Sequence, residues 1–279
     1  MQYTRIVDEQ ELARSLAQPR TAILCGGTDL LVQMRNGLAA PEHLLDISDV
    51  SSLRGIEESN GSIVIGAATV QSELLASPLI RRRLPLLAAA LGVLGSVQIR
   101  NRGTLGGNLV NASPAADSAV PLLAHDAEVL LASSTGKRRL TVDSFLLGPN
   151  QTALEAGEYV RAIRIPIPEA EQHVFYHKVG KRRALTIAIA SVGIVALLNK
   201  DRVTDIRIAA GSVAPTPLRL QSVEHAIIGQ ALDETTVAKA GRLAAEAVSP
   251  IDDVRATADY RRAVIGDLVI RALQAFLTR

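Results

Sequence analysis

One cysteine in 279 residues leaves little scope for sulfur chemistry. Cys25 alone closes no internal disulfide, and neither an iron–sulfur cluster nor a zinc site can be assembled from this chain's own thiolates, which fits a reducing compartment. Excess charge of one sign is missing as well. With 30 Lys and Arg against 28 Asp and Glu there is no field able to neutralise a phosphate backbone, so no nucleic-acid partner is expected. The run Arg81 to Arg83 reads as a solvated helix face. No apolar stretch approaches the roughly 20 residues of a membrane-crossing helix, and Met1 to Arg20 mix charges without a continuous apolar core. The expectation is a soluble, cytoplasmic protein without a membrane span. Repeats and low-complexity tracts are absent. What is present is a chain 48% hydrophobic, long enough to bury a sizeable core in two or more lobes.

The apolar run Thr21 to Cys25 suits a buried strand. It enters the turn Gly26-Gly27-Thr28-Asp29, and Leu30 to Met34 continue as a helix stopped by Asn36-Gly37. Ser62 to Ala67 form a second strand leading to a helix after Thr69. Ser77-Pro78 restarts helix, and Pro85 breaks or kinks it. Gln98 to Ser118 read as a loop rich in Gly, Asn, Ser and Pro. A strand near Glu128 to Leu131, a hairpin turn at Ser133 to Lys137 and a returning strand follow. Longer strands are expected at Tyr159 to Ile165, His173 to Val179, Thr186 to Leu198 and Val203 to Ala210, then three helices. The last, Ala258 to Leu277, docks through Tyr260, Val264, Leu268 and Phe276, with Arg261, Arg262 and Arg271 elsewhere. Clustered strands with helices gathered beside them indicate α+β rather than a doubly wound sheet.

Two glycine motifs carry the chemical interest. In the first, glycines let the backbone approach a ligand closely and free N–H groups suit a phosphate; equally, the turn is only tight, with Thr28 or Asp29 capping the helix. It is neither the alternating-glycine dinucleotide fingerprint nor a P-loop, since no Gly-Lys-Ser/Thr follows. Asp29 would repel a phosphate, so its carboxylate is better placed as a cap. The second motif runs from Gln98 through Gly106 and Gly107 to Asp117 and contains little that forms a core. Thr104, Asn108, Ser113 and Asp117 suit cradling a polar cofactor more than acid–base work. Two such turns can converge on a pyrophosphate, which points to a dinucleotide cofactor.

Cys-Gly-Gly-Thr-Asp-Leu at 25 to 30, Ile-Gly-Ala-Ala-Thr at 65 to 69, Ile-Arg-Asn-Arg-Gly-Thr-Leu-Gly-Gly-Asn-Leu at 99 to 109 and Asn-Ala-Ser-Pro-Ala-Ala-Asp at 111 to 117 together resemble one family. It is that of the FAD-binding medium subunits of xanthine dehydrogenase and carbon monoxide dehydrogenase, which are molybdenum hydroxylases; Lys178 and the Arg182-Arg183 pair extend the match. The resemblance implies an α+β fold: a two-subdomain FAD-binding fold of the vanillyl-alcohol oxidase type, at 1–55 and 56–165, then a small α+β domain at 166–279. It implies non-covalent FAD, with no histidine at either motif for attachment. Carried over by position, Ile23, Leu24, Cys25, Gly26, Gly27, Thr28, Asp29 and Leu30 form one pyrophosphate turn, and Thr104, Leu105, Gly106, Gly107 and Asn108 the other. Asp117 holds the ribityl or phosphate region, Leu94 packs on the flavin ring, Val160 lines the adenine side or nearby backbone, and Lys178 approaches the isoalloxazine.

The resemblance further implies a heterotrimer. A large partner subunit carries the molybdenum cofactor and a small partner two [2Fe–2S] clusters, with NAD or another acceptor taking electrons from FAD; this chain binds no metal and does no chemistry on the organic substrate. Lys178 has a simpler reading as a surface lysine on a strand, and the arginine pair as interface residues. Ala184-Leu185-Thr186 stand where some relatives carry an acidic residue or tyrosine, and Cys25 where alanine is frequent. The cysteine-rich insertion of benzoyl-CoA-type reductases is absent. The alternatives are a scaffold subunit of the same complex and a free-standing flavin oxidase. Against the latter, His43, His125, His173, His177 and His225 are scattered rather than gathered at a motif.

Overall fold

The computed structural model describes residues 1–167, 171–182 and 185–277, so Arg183 and Ala184 lie outside the described residues. Two compact units emerge: residues 1–77, 96–112 and 127–166, and residues 78–95, 113–126 and 167–279.

The first unit opens on a parallel sheet of β1 (Gln2–Arg5), β2 (Thr21–Leu24) and β3 (His43–Asp46), ordered β1-β3-β2. The helix Glu9–Ser15 connects β1 to β2. Asp8 caps it, accepting from the Glu11 amide at 2.7 Å, while Glu11 reaches back to the Val7 amide at 3.3 Å. Its Leu12 and Ala13 are buried with Ile6, Leu45, Ile47 and Leu53.

An antiparallel sheet follows, built from β4 (Ile56–Ser59), β5 (Ser62–Gly66), β6 (Glu128–Ala132) and β7 (Lys137–Thr141), with β8 (Leu146–Gly148) and β9 (Gln151–Thr152) forming a separate small hairpin. β10 (Tyr159–Pro166) completes the order β4-β5-β10-β6-β7. Asn60 and Gly61 join β4 to β5 with φ of 49° and 68°, the left-handed pair that a two-residue hairpin turn requires. Glu9 ties the N-terminal helix to β10, accepting from the Tyr159 hydroxyl and Arg161 Nε, each at 2.9 Å.

In the second unit β11 (His173–Val179), β12 (Ala190–Asn199), β13 (Arg202–Gly211) and β14 (Leu218–Arg219) pair antiparallel in that order. One face carries Val192, Ile194, Ile208 and Ala210 into a core with the helices Gln221–Ile227, Glu234–Glu246 and Ala258–Leu277. The opposite face is lined with small residues. A Cβ on Gly193 would stand 2.8 Å from Val120 Cγ1, and one on Gly211 2.8 Å from Val120 Cγ2, so the helix Ala119–Ala124 lies directly on the strands, with Leu86 of the helix Pro85–Val93 also near Gly193.

The final helix is buried through Arg261, Ile265, Leu268, Val269, Ala272, Leu273 and Phe276, while Tyr260 is 49% exposed. The docking face expected from spacing is therefore corrected. Tyr260 turns outward and Arg261 inward, because the guanidinium satisfies the Ile189 and Ser212 carbonyls, both at 2.8 Å, and pairs with Asp253 at 2.6 Å. The three arginines Arg81 to Arg83 are exposed, as a solvated helix face requires.

His125, at the end of the helix Ala119–Ala124, is buried, and neither ring nitrogen has a hydrogen-bond partner among the described residues. Burial, helped by nearby Arg207, pushes its pKa down to about 4. The unfolded histidine takes up a proton near pH 6.5 and the folded one only near 4, so stability is lost as pH falls between those values, by up to about 3 kcal/mol. Urea midpoints at pH 7 and 4.5 measure this. His125→Leu should flatten the dependence, and an unchanged slope would acquit the histidine.

Candidate FAD site

β2 ends at Leu24, and the chain turns through Cys25, Gly26, Gly27, Thr28 and Asp29 into the helix Leu30–Arg35. Gly27 has φ +72°, which a side chain would strain. Gly26 is required for another reason: a Cβ there would lie 2.0 Å from the carbonyl oxygen of Arg102. The two glycine motifs thus do converge, backbone against backbone. Burial pushes the pKa of the Cys25 thiol up, against the nearby Thr104 hydroxyl, which lowers it, so the thiol behaves as a half-buried spacer rather than a reactive thiolate. Behind the turn, Ser48 Oγ donates to the Cys25 carbonyl at 3.3 Å, and Asp46 holds Ser48 through its amide at 2.9 Å.

Asp29 occupies the capping position but does not cap. Its carboxylate accepts from Gln33 Nε2 at 2.5 Å, outside the turn. Among the described residues no hydrogen bond engages the amides of half-buried Gly26, Gly27 and Thr28. Successive amides without an internal acceptor need one from outside the chain, and phosphate oxygens are suitable acceptors.

The second motif is built differently. It contains the short helices Val97–Arg100 and Leu105–Val110, where a loop was expected. Leu105 and Leu109, four apart and so on one helical face, are fully buried, correcting the reading of this stretch as coreless. Thr104 caps the second helix, accepting from Gly107 N at 3.1 Å. The Leu105 and Gly106 amides go to the Thr69 and Ala67 carbonyls at 3.2 and 3.0 Å. A Cβ on Gly106 would meet Ala67 Cβ at 2.6 Å. Here the close approach serves packing of the chain on itself, and the amides of Leu105, Gly106, Gly107 and Asn108 are committed within the chain. The Ala67 amide bonds the Arg161 carbonyl at 3.0 Å, beside Val160, which is buried in β10 opposite Leu131.

Leu94, Asp117 and Lys178 belong to the second unit. Leu94 is buried just beyond the helix Pro85–Val93. Lys178 is no surface lysine: its side chain is 5% exposed, its ammonium lies 2.5 Å from Asp117 Oδ2, and it donates to the Val93 carbonyl at 3.3 Å. Tyr176 donates to Asp117 Oδ1 at 3.3 Å. Burial pushes the Asp117 carboxyl up, against the pull of Lys178 and Tyr176. Tyr176 escaped the sequence reading, although its place two residues from Lys178 puts both on one face of β11.

A family model described as the FAD binding domain in molybdopterin dehydrogenase matches residues 1–168, and the CO dehydrogenase flavoprotein C-terminal domain matches 175–276. The chain belongs to this FAD-binding family. Its relatives include the carbon monoxide dehydrogenase medium chain of Hydrogenophaga pseudoflava, 38% identical over 92% of this chain and 89% of that one. The putative xanthine dehydrogenase FAD-binding subunit of Escherichia coli K12 is 33% identical over 87% and 84%. Among solved structures, carbon monoxide dehydrogenase from Hydrogenophaga pseudoflava superposes with a TM-score of 0.95 at 36% identity, covering 99% of this chain and 96% of that one. Quinoline 2-oxidoreductase from Pseudomonas putida 86 gives 0.92 at 29%, covering 99% and 98%.

The protein is thus the FAD-binding medium subunit of a molybdenum-hydroxylase-type oxidoreductase, with the α+β FAD-binding fold and C-terminal domain that the motifs implied. For such a subunit the unengaged amides of the first glycine turn are chemically fitting donors to phosphate oxygens. No helix among the described residues is long and apolar enough to cross a membrane.

Proposed function

We propose that this subunit holds FAD non-covalently and carries electrons from the [2Fe–2S] clusters of a small partner subunit to NAD or another acceptor, in the cytoplasm. A large partner subunit bearing the molybdenum cofactor would oxidise the organic substrate. The observation that carries this reading is the family match along both parts of the chain, joined to the unengaged amides of Gly26, Gly27 and Thr28 in the first motif.

In this reading the turn Ile23 to Leu30 binds the diphosphate, with Thr104 to Asn108 as the second pyrophosphate turn, packed against the first. Val160 contributes apolar lining on the adenine side, Leu94 packs against the ring, Lys178 approaches the isoalloxazine, and Asp117 holds the ribityl or phosphate region. The bound flavin supplies the redox chemistry; the chain supplies position, exclusion of water and electrostatics. Because Asp117 lies against Lys178, the lysine's charge is compensated within the protein. It acts chiefly as a fixed hydrogen-bond donor, not as a bare cation.

The purified complex should be yellow, acid precipitation should release FAD into the supernatant, and molybdenum and iron should co-purify with the partners. A correctly folded, colourless chain that ignores added FAD would reduce it to a scaffold. Colour without partners or metals, together with turnover of an organic substrate, would favour the free-standing oxidase.

A further inference from the structure

The strand register of the second unit sets up a chain of polar side chains that family membership does not explain. Tyr176 lies opposite Gly193, and Lys178 opposite Ser191. These residues share the small-residue face of the sheet, where a Cβ on Gly211 would approach Ser191 Oγ to 2.7 Å. Ser191, two residues along β12 from Gly193 and so on the same face, neighbours the hydroxyl of the half-buried Tyr176. That hydroxyl donates to one oxygen of Asp117, and Lys178 takes the other.

An ammonium has three donors. Among the described residues Asp117 and the Val93 carbonyl engage two of them, which leaves one. A free lysine side chain gives up rotamer entropy when it is fixed. Here that cost is met in the folded chain, provided the carboxylate it leans on is itself held. Only Tyr176 and Lys178 bond that carboxylate among the described residues.

We propose that Tyr176 is a positioning residue for the flavin: through Asp117 it fixes the direction of the remaining Lys178 N–H. This rests on the reading in which Lys178 faces the cofactor. The competing account makes Tyr176 a packed core residue whose hydroxyl merely needs a partner. The two differ in whether the effect of the hydroxyl passes through Lys178.

The test uses the full complex. Tyr176→Phe keeps the ring and removes the hydroxyl. It should weaken FAD binding, titrated into flavin-depleted protein, about three- to tenfold, and lower the reduced-to-oxidised flavin ratio at a fixed applied potential at least threefold. In a Lys178→Met background the same substitution should change neither quantity. Unchanged values in Tyr176→Phe, or equal shifts with and without Lys178, overturn the proposal. Ser191→Ala, a milder perturbation of the same chain, should give smaller shifts in the same direction and is read by the same criteria if Tyr176→Phe does not fold. Folded wild-type protein that takes up no FAD overturns the functional reading itself, and the proposal with it; normal FAD uptake with no effect of Tyr176 overturns the proposal alone.

Discussion

Gly26→Ala should cost about 3 kcal/mol of stability and, on the functional reading above, most of the bound flavin. The added methyl would begin 2.0 Å from the Arg102 carbonyl oxygen and 2.7 Å from its carbon. Neither atom can yield by rotating a side chain. Arg102 and Gly103 both donate their amides to the Ile99 carbonyl, at 3.1 and 2.6 Å, and the Gly103 carbonyl accepts from Gln71 N at 2.9 Å. One of the two motifs must therefore withdraw, and the unengaged amides of the first turn move with it. Gly92→Ala supplies the contrast. It lies in the helix Pro85–Val93 with nothing within 4 Å of its added Cβ, so the change should be neutral or stabilise by up to about 1 kcal/mol. Urea midpoints and flavin absorbance per chain read both variants. A Gly26→Ala protein within about 0.5 kcal/mol of wild type would show that the contact between the motifs is slack.

Arg261→Met should destabilise the chain by roughly 3 to 5 kcal/mol. The methionine preserves much of the buried volume but leaves the Ile189 and Ser212 carbonyls without this donor and Asp253 without its ion-pair partner. Arg261→Lys should recover only part of the loss, because one ammonium cannot reproduce the planar fork that spans two carbonyls and a carboxylate. Burial raises the Asp253 pKa, but its bonds with Arg255, Arg261 and backbone amides outweigh that and hold it below the ordinary carboxylate range. Its contribution is therefore present above the unfolded carboxylate pKa and fades as pH falls toward the folded one. That acid-side loss should shrink in Arg261→Met. Thermal melts at pH 7 and pH 3 give both effects; a melting temperature near wild type at pH 7 would mean that water replaces the guanidinium without penalty.

Much of this architecture is readable where local rules act alone. The hairpin of β6 and β7, the long strands β11 and β13, and the final helix carry periodicity strong enough to place them. Asn60-Gly61 was a signal left unused, since a two-residue left-handed turn all but demands the β4–β5 hairpin. β1 gave none: Gln2–Arg5 is a largely exposed edge strand with no alternation to detect. At the site, spacing alone located both glycine motifs but could not divide their labour, because whether an amide faces a ligand or Ala67 depends on a strand far away in sequence. Asp29 and Arg261 failed for a related reason. A cap and an arginine off the docking face are sound local assignments, overridden by Gln33 in one case and by two buried carbonyls in the other.

The helices Pro85–Val93 and Ala119–Ala124 find their sheet only in residues 173–211. During synthesis they leave the ribosome well before the strands that cover them. Until β13 is made, Leu86 and Val120, buried in the finished protein, lack the strands they pack against. Such late, non-local closure slows folding and lengthens exposure to aggregation. The small-residue face of the sheet thus bears on yield in the cell as well as on packing: a bulky substitution at Gly193 or Gly211 would prolong the interval in which the nascent chain is sticky.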